Sequence, residues 1–347
     1  MISRQNTQKI IVGNVQIGHQ NKVIVQSMTN TKTSDVNATI QQIRKLVNAG
    51  AQLVRVAILD EIDANALKKI VEKAPCPIIA DIHYNHKLAM LAIKNGAAKI
   101  RINPANINQK LLKEIVSCAK KYNTVIRIGI NQGSKLNNKN FTTAKSMINC
   151  ALKFIKLFES WHFYKIIVSL KSSDPLLTTN LYELASHKIK YPLHLGVTEA
   201  GTKENAIIKS SIGLAPLLSK GIGDTIRISI SGDPIDEPRI ARKILHSLHL
   251  CNDTIDIIAC PTCGRLQWNM SDLLKQVENY TKNLKHSMSI AIMGCAVNGI
   301  GECEHADIGI YGNKEQLFLY KKRHLLKKIP IHKGFVEIKQ LIHDFQA

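Results

Sequence analysis

Two cysteines of the segment IIACPTCGRLQW, Cys260 and Cys263, form a C-x-x-C pattern, and a third, Cys295, follows in MGCAVNGIGECEH. Three thiolates from two turns can hold a zinc ion, with Cys303 or His305 as the fourth ligand. The same three thiolates can hold an iron–sulfur cluster, and a C-x-x-C pair can also act as a redox dithiol. The spacing therefore indicates thiolate chemistry and leaves its kind open.

Basic residues recur at equivalent places in five β-branched runs, LVRVAI, AKIRIN, TVIRIGIN, YKIIVSLK and TIRISIS. They are Arg55, Arg101, Arg127, Lys171 and Arg227. Cations that converge on one place repel one another unless an anion lies among them. The loops NQGSK and SGDP add glycine-permitted backbone N–H donors that suit the same anion. This pattern predicts a site for a small, highly charged phosphate or diphosphate ester.

Acid–base candidates are fewer. Glu199 in GVTEAGT and Asp81 in IIADIH lie near strand ends inside the predicted positive ring, where a carboxylate can move protons on a bound substrate. His83 and His194 lie in the same runs and are second candidates. Each of these side chains also has a purely structural interpretation, as the neutralising partner of an arginine or as a buried hydrogen-bonding group.

The elements that must position these residues alternate along the chain. Eight short strand-like runs, starting near residues 23, 53, 77, 98, 124, 164, 193 and 225, are each followed by a helix-length amphipathic segment. Eight such units over about 250 residues are typical of a closed (β/α)₈ barrel, and other doubly wound sheets are the alternative. The active site of such a barrel lies at the carboxyl ends of its strands. Because side chains two apart share one face of a strand, Arg101 should point the same way as Asn103, and Ser169 the same way as Lys171.

The alternating pattern stops near residue 250, and the close-spaced cysteines follow it. We therefore expect two domains, a barrel over residues 1–250 and a smaller cysteine-bearing domain over residues 251–347. The chain has 347 residues, 45% of them hydrophobic, which is sufficient for one large domain and one small one.

Composition also restricts the setting and the partners. The chain has no apolar stretch typical of a signal peptide or a membrane span, which predicts a cytoplasmic protein with no membrane association. The net charge of +21 suggests nucleic acid, but the lysines are dispersed in segments such as KLLKEIVSCAKKY with few aromatics beside them. We expect no nucleic-acid partner. A basic RNA-binding protein with a zinc module is the rival class, and a phosphate-binding barrel enzyme with a structural zinc site is another.

The strings QSMTNT, VRVA, ADIH, RINP, IRIGIN, LGVTEAG, GIGDTIRIS, CPTCGR and GCAVNGIGE occur in this order between residues 26 and 302. In this combination the chain resembles the 4-hydroxy-3-methylbut-2-enyl diphosphate synthase family of the non-mevalonate isoprenoid pathway. The resemblance covers almost the whole chain and rests on many independent strings.

The resemblance implies a TIM-type barrel followed by a small α+β domain of sulfite-reductase type that carries a [4Fe–4S] cluster. It implies the two-electron reductive ring opening and dehydration of 2-C-methyl-D-erythritol 2,4-cyclodiphosphate to (E)-4-hydroxy-3-methylbut-2-enyl diphosphate. A flavodoxin or a ferredoxin would donate the electrons. The implied assembly is a homodimer in which the cluster domain of one subunit closes over the barrel of the other.

The resemblance also assigns roles. The cluster ligands fall on Cys260, Cys263, Cys295 and Glu302. The implied diphosphate ligands are Arg55, Arg101, Arg127, Lys171 and Arg227, with Asn103, Asn131 and Ser231 beside them. Glu199 is the expected proton donor or hydroxyl partner, followed by Asp81, His83 and His194. One departure from the family pattern matters here: Cys303 stands where a small residue is usual, and its position next to Glu302 would allow it to capture the iron that the glutamate holds.

Overall fold

The computed structural model describes residues 2–82, 85–132, 135–136, 139–140, 143–282, 284 and 286–346. The chain forms two compact units, Met1–Leu250 and Cys251–Ala347. In the described ranges, none of the helices has the length and apolar character needed to cross a bilayer.

The first unit contains twelve strands in its described residues. In chain order they are β1 (Ile10–Val12), β2 (Val15–Ile17), β3 (Ile24–Met28), β4 (Leu53–Ala57), β5 (Ile78–Asp81), β6 (Lys99–Ile102), β7 (Val125–Asn131), β8 (Lys135–Leu136), β9 (Lys139–Asn140), β10 (Ile166–Lys171), β11 (His194–Leu195) and β12 (Thr225–Ile226). Strands β1 and β2 form an antiparallel hairpin, and β8 and β9 form a second one. The other eight are parallel and lie in one sheet, in the order β10-β7-β6-β5-β4-β3-β12-β11.

A parallel bridge between Val168 of β10 and Leu193 joins the two ends of this sheet. The ring of eight strands is therefore closed, and the predicted (β/α)₈ barrel is confirmed. The strand runs identified in the sequence correspond to the eight strands of the ring, because each is a β-branched segment buried on both sides.

Eight helices accompany the barrel strands. They are α1 (Val36–Asn48), α2 (Glu61–Lys73), α3 (His86–Lys94), α4 (Gln109–Lys121), α5 (Ala144–Ser160), α6 (Pro175–Ser186), α7 (Lys203–Ser219) and α8 (Asp236–Ser247). Most of them begin where the sequence provides a capping side chain. Asp35, Asp60 and Asp174, for example, each accept a hydrogen bond from a backbone N–H of the first turn.

Alternation along the strands divides the barrel interior into an apolar floor and a polar upper part. At the floor, Ile24, Leu53 and Val125 pack with Ile10 and Ile17 of the β1–β2 hairpin. Two residues further along the same strands, polar and basic side chains replace the apolar ones. The hairpin therefore closes the amino-terminal end of the barrel, and the opposite end carries the charged groups.

The second unit is a five-stranded sheet with three helices. Its strands are β13 (Ile255–Ala259), β14 (Met288–Met293), β15 (Ile308–Gly312), β16 (Gln316–Lys321) and β17 (His324–Pro330), and its helices are α9 (Met270–Thr281), α10 (Ala296–His305) and α11 (Gly334–Gln346). The sheet order is β13-β14-β15-β16-β17, parallel from β13 to β15 and antiparallel beyond. Helices α9 and α11 contribute to the larger apolar core, and α10 packs on β14 and β15. This arrangement is the predicted α+β type.

The seam that closes the barrel depends on one buried hydroxyl. Tyr182 of α6 is 0% exposed. Its hydroxyl accepts a hydrogen bond from the Leu170 N–H (3.0 Å) and donates one to the His194 carbonyl (2.6 Å). It thus ties β10 to β11, in addition to the bridge at Val168 and a backbone hydrogen bond from the Thr198 N–H to the Ser172 carbonyl.

Replacing Tyr182 by phenylalanine should lower the free energy of unfolding of the first unit by about 2–3 kcal/mol. The reason is that a buried N–H and a buried carbonyl would both lose their partner. Urea titration followed by circular dichroism measures the change. The matched control is Tyr164→Phe, at a residue that is 49% exposed, and it should have no effect. Equal stability of the two variants would show that the hydroxyl does not hold the seam.

Candidate functional site

Six basic side chains lie on the inward-facing positions of the barrel. They are the five predicted from the sequence and one more, namely Arg55, Lys99, Arg101, Arg127, Lys171 and Arg227. All except Arg227 are buried, and the side chain of Arg227 is 15% exposed. Lys99 was not predicted, although it stands two residues before Arg101 on the same strand and therefore on the same face.

Two carboxylates neutralise part of this charge. Asp81 Oδ1 lies 3.7 Å from Arg55 Nη1 and 3.6 Å from Arg101 Nη1. Glu237 of α8 accepts two hydrogen bonds from Arg227, at 2.9 and 3.2 Å, and a third from the Ser27 hydroxyl at 2.8 Å. Asp81 thus serves as a shared counter-ion, and Glu237 occupies the Arg227 guanidinium. Glu237 was missed because it lies in the first turn of a helix and does not end a strand.

Three of the basic side chains have no carboxylate partner among the described residues. They are Lys99, Arg127 and Lys171. Arg127 is 1% exposed, and within the described part of the chain its Nε and Nη1 have no hydrogen-bond partner. Lys99 Nζ donates to Gln26 Oε1 at 3.1 Å. A buried guanidinium cannot give up its proton, so the interior holds uncompensated positive charge that a bound anion would neutralise.

Burial and crowding lower the pKa of several of these basic side chains. Burial lowers the pKa of Arg55 to about 10, although Asp81 opposes the shift. Burial and then repulsion from Arg127 hold the pKa of Lys171 well below its ordinary value. An anion among these groups would reverse both effects, because it favours their charged forms.

Two glycines in the strand ends leave room for the long basic side chains. A Cβ at Gly129 would lie 2.7 Å from Arg101 Nε. A Cβ at Gly196 would lie 3.2 Å from Lys171 Nζ and 2.7 Å from the Arg227 carbonyl oxygen. A Cβ at Gly129 would therefore displace the Arg101 side chain, and one at Gly196 would collide with the Arg227 backbone and crowd Lys171.

The predicted polar ligands lie at the same end of the barrel. Asn103 is buried just after β6, and its side chain accepts a hydrogen bond from the Ala105 N–H. Asn131, half-buried, ends β7 and is paired in register with Lys171 of β10. Ser231 is exposed in the loop after β12, and its N–H donates to the Gly201 carbonyl (2.9 Å).

The acid–base candidates have different environments. His194 is 0% exposed, and burial, followed by repulsion from Arg127 and Lys171, holds its pKa well below the ordinary value. Its Nδ1 is 2.7 Å from the Thr225 hydroxyl. His194 is therefore a neutral imidazole of the barrel interior. His83 lies outside the described residues.

Glu199 is exposed in the loop that follows β11. Its φ of +52° lies in the left-handed region, which costs a glutamate about 1 kcal/mol or more. Gly201, two residues later, also has a positive φ of +91°. The loop VTEAG thus holds the carboxylate in a conformation that its local sequence disfavours, a property typical of functional loops.

In the second unit, two of the predicted cysteine ligands lie at the carboxyl ends of neighbouring strands of the sheet. Cys260 follows β13 and Cys295 follows β14, and these neighbouring parallel strands end at the same edge. The Gly294 N–H donates to Cys260 Sγ at 3.2 Å. Cys295 occupies the N-cap of α10. Cys263 is exposed, and the Arg265 N–H lowers its pKa.

Glu302 is half-buried and lies on α10, the helix that Cys295 begins. Three sulfur donors and a carboxylate are a suitable ligand set for an iron–sulfur cluster with one exchangeable iron. In the described part of the chain, no three His, Cys, Asp or Glu side chains are close enough together to hold a metal ion. Thiolate ligands gather around a metal as it binds. The features that fit an iron–sulfur cluster are therefore the types of donor atom and the position of Cys260 and Cys295 after neighbouring strands.

Cys303 does not lie at the strand ends that carry Cys260 and Cys295. Its side chain is 0% exposed in the small core beneath α10, against Gly309 and near Tyr311. Burial raises the pKa of its thiol to about 12, so it is a protonated core residue. This burial disfavours Cys303 as a metal ligand, and Cys303 and Glu302 point in different directions because successive helix positions lie about 100° apart. His305 is exposed near the end of α10.

Comparison with known proteins gives concordant matches for both units. Residues 7–242 match the family model described as the GcpE TIM-barrel domain, and residues 256–344 match the one described as the GcpE protein C-terminal domain. The chain is 46% identical over 346 residues to the 4-hydroxy-3-methylbut-2-en-1-yl diphosphate synthase (flavodoxin) of Mycoplasmoides gallisepticum, covering 99% of this chain and 96% of that protein. The enzyme of the same name from Malacoplasma penetrans is 46% identical over 343 residues, covering 98% and 95%.

Solved structures with a similar fold include the 7,8-dihydropteroate synthase from Vibrio fischeri, with a TM-score of 0.52 at 15% identity, covering 70% of this chain and 98% of that one. Dihydropteroate synthase from Stenotrophomonas maltophilia has a TM-score of 0.51 at 12% identity, covering 69% and 98%. At these identities the likeness shows the fold alone.

The absence of a described carboxylate partner leads to a prediction about Lys171. Replacing it by methionine should stabilise the ligand-free protein by about 1–3 kcal/mol, because a buried charge without a counter-ion is removed. Inorganic diphosphate should stabilise the unchanged protein by about 2.7 kcal/mol at one hundred times its Kd, and the variant by much less. Thermal unfolding with and without diphosphate measures both effects. The control is Lys113→Met, at an exposed lysine of α4. If diphosphate stabilises K171M as strongly as the unchanged protein, Lys171 is not in the anion site.

Proposed function

The chain belongs to the GcpE family of 4-hydroxy-3-methylbut-2-en-1-yl diphosphate synthases, iron–sulfur oxidoreductases of the non-mevalonate pathway, and we propose that its barrel binds 2-C-methyl-D-erythritol 2,4-cyclodiphosphate. The product is (E)-4-hydroxy-3-methylbut-2-enyl diphosphate. The observation that carries the substrate assignment is the group of unpaired cations, Lys99, Arg127 and Lys171, inside the barrel. A cyclic diphosphate is a compact dianion that suits this charge.

The reaction consumes two electrons and two protons and releases one water. The bond between C2 and its phosphate oxygen breaks, the C3 hydroxyl leaves as water, and a double bond forms between C2 and C3. The phosphate oxygen that leaves C2 keeps the bonding pair, so negative charge develops on the diphosphate. Preorganised cations stabilise such developing charge most where water is excluded.

The residues that hold the diphosphate would act from several strands. We assign Arg55, Arg101, Arg127 and Lys171 to the phosphate oxygens, with Asn103, Asn131 and Ser231 as hydrogen-bonding groups and Arg227 as a further cation. Arg227 already donates to both oxygens of Glu237, so its contribution to an anion is weaker than that of Lys171.

Glu199 is our choice for the group that delivers a proton to the departing hydroxyl or holds a substrate hydroxyl. It is exposed, whereas Asp81 is engaged by two arginines and His194 is buried. Asp81, His83 and His194 are the alternatives. His194 would act as a neutral imidazole, because its pKa is far below the ordinary value.

We assign Cys260, Cys263, Cys295 and Glu302 to a [4Fe–4S] cluster, which supplies the electrons when bound. The Gly294 N–H donates to the Cys260 sulfur, and Cys295 lies at the N-terminus of α10, so both sulfurs are close to backbone N–H groups of the kind that surround cluster thiolates. A carboxylate is a harder and more exchangeable ligand than a thiolate, so Glu302 would hold its iron less firmly than the three cysteines would hold theirs.

The relatives are named for flavodoxin, and we propose a flavodoxin as the electron donor of this chain. We also propose that the protein is a homodimer. Light scattering can measure its mass in solution.

Iron, sulfide and zinc analysis of protein purified without oxygen tests the cluster. About four irons and four sulfides per chain support it. One tightly held zinc per chain, without iron, would contradict the reductase function and would support a phosphate-binding barrel enzyme with a structural metal site.

Two cysteine variants sharpen this test. Cys295→Ser should lose most of its iron and its visible absorption, because a cluster ligand is removed. Cys303→Ser should keep about four irons, since its thiol lies in the core, although the variant should be less stable because a hydroxyl is buried there. Iron content and absorption spectra measure the difference. Loss of iron in C303S with retained iron in C295S would overturn the assignment.

Replacing Glu199 by glutamine should leave iron content and absorption unchanged and reduce kcat by a factor of about 10² or more, because the group can no longer deliver a proton. Turnover of the cyclic diphosphate with a chemical reductant measures kcat and KM. The control is Glu204→Gln, at an exposed residue of α7. A kcat equal to that of the unchanged enzyme would remove Glu199 from the mechanism.

A further inference from the structure

The outer hairpin of the second unit consists of β16, β17 and the turn between them, residues 316–330. It contains five Lys and Arg residues and no Asp or Glu. The rest of residues 251–347 contains seven Lys and Arg and ten Asp and Glu. The positive charge of this unit is therefore concentrated on one element, which is also the edge of the sheet.

This edge strand is exposed along most of its length. Leu325 is 47% exposed and Leu326 is 49% exposed, and the neighbouring lysines are exposed as well. Lys327 is paired with Glu337 at 2.7 Å. The other four cations of the hairpin, Lys321, Lys322, Arg323 and Lys328, form no ion pair within the described residues. An apolar patch surrounded by unpaired charge is typical of a surface that binds another protein.

The turn of the hairpin is built at a local cost. Lys322 and Arg323 have φ values of +46° and +74°. Two consecutive residues with positive φ form the turn that normally carries Asn-Gly, because other side chains are strained there. Two cations stand at positions where the backbone favours Asn and Gly, which points to a use for their charge.

The outer hairpin is also connected to the predicted cluster ligands by aromatic packing. Lys328 Nζ lies 5.4 Å from the ring centroid of Phe318, and Phe318 stacks on Tyr311 at 4.6 Å. Tyr311 in turn packs against Gly299 of α10, the helix that begins at Cys295 and carries Glu302. The face of the hairpin that bears Phe318 and Lys328 is thus one aromatic layer away from this helix.

We propose that the outer hairpin is the docking surface for the electron donor, an acidic flavodoxin-type protein. This inference rests on the proposed function, since it assigns a place on the chain to the reductant of that reaction. Each reduced flavodoxin gives up one electron and passes from hydroquinone to semiquinone, so two docking events supply the two electrons of one turnover.

Charge decides between this partner and a second copy of the chain. Pairing of β17 with its own copy would bring Lys327 and Lys328 of two strands together, and like charges directly opposite are destabilising. An acidic partner is attracted by the same residues, and opposite surface charges raise the rate of association. The hairpin therefore favours an acidic partner over self-association.

The double variant K322N/R323G tests the proposal with little risk to the fold. It removes two charges and installs the preferred turn sequence, so its Tm should be unchanged or higher. With reduced flavodoxin at low ionic strength, kcat/KM should fall about five- to twentyfold, and the Kd for flavodoxin measured by calorimetry should rise similarly. With dithionite and methyl viologen, which need no docking surface, turnover should stay the same.

The matched control is K113Q/K120Q, which removes two exposed charges from α4 of the first unit. It should retain its affinity for flavodoxin. Equal losses in the two double variants, or no loss in either, would overturn the proposal. A change in the oligomeric mass of the hairpin variant would also overturn the proposal, because the surface would then belong to a subunit interface. Absence of turnover with methyl viologen in the unchanged protein would refute the proposed function, whereas flavodoxin binding would still test the docking surface.

Discussion

The crowding of six basic side chains inside a closed barrel with only Asp81 and Glu237 as described counter-ions is the constraint on which the rest of the first unit depends. Burial and repulsion among the cations disfavour the charged forms of Arg55, Lys99, Arg127 and Lys171. The fold compensates for this cost with an apolar floor, closed by the β1–β2 hairpin, and with a ring of parallel strands held at the seam by Tyr182. A diphosphate would convert the repulsion into attraction, so ligand binding and stability are coupled.

In the second unit, two of the cysteines lie just after neighbouring strands of the sheet. Cys260 and Cys295 follow adjacent parallel strands; Cys260 accepts a hydrogen bond from the Gly294 N–H, and Cys295 lies at the N-terminus of α10. Cys303, one residue after Glu302, is turned into the core. Successive helix positions point about 100° apart, so Glu302 is half-buried whereas the Cys303 thiol is protonated in an apolar environment.

The sequence was a good guide to the residues carried by the barrel strands. The five predicted cations, together with Asn103 and Asn131, lie within or just after these strands, because β-branched runs identify the strands and alternation identifies the face. Lys99 could have been found by the same rule, since it is two positions from Arg101. Glu237 could not, because its contact with Arg227 joins a helix to a strand end ten residues earlier through tertiary packing. The role of Glu302 came only from resemblance, since no spacing rule selects it from its neighbour Glu304.

The amino-acid sequence by itself determined the (β/α)₈ pattern, the family and the residue types available for chemistry, because these depend on periodicity and on motifs local to the chain. Tertiary structure decided which charges are compensated: Arg55 and Arg101 share Asp81, Arg227 holds Glu237, and Arg127 has no carboxylate partner among the described residues. It also decided that Cys303 is buried, that His194 is neutral and that the strained Lys322–Arg323 turn lies on an exposed edge. The physical reason is that burial, pairing and pKa depend on groups distant in sequence, whose positions only the folded chain fixes.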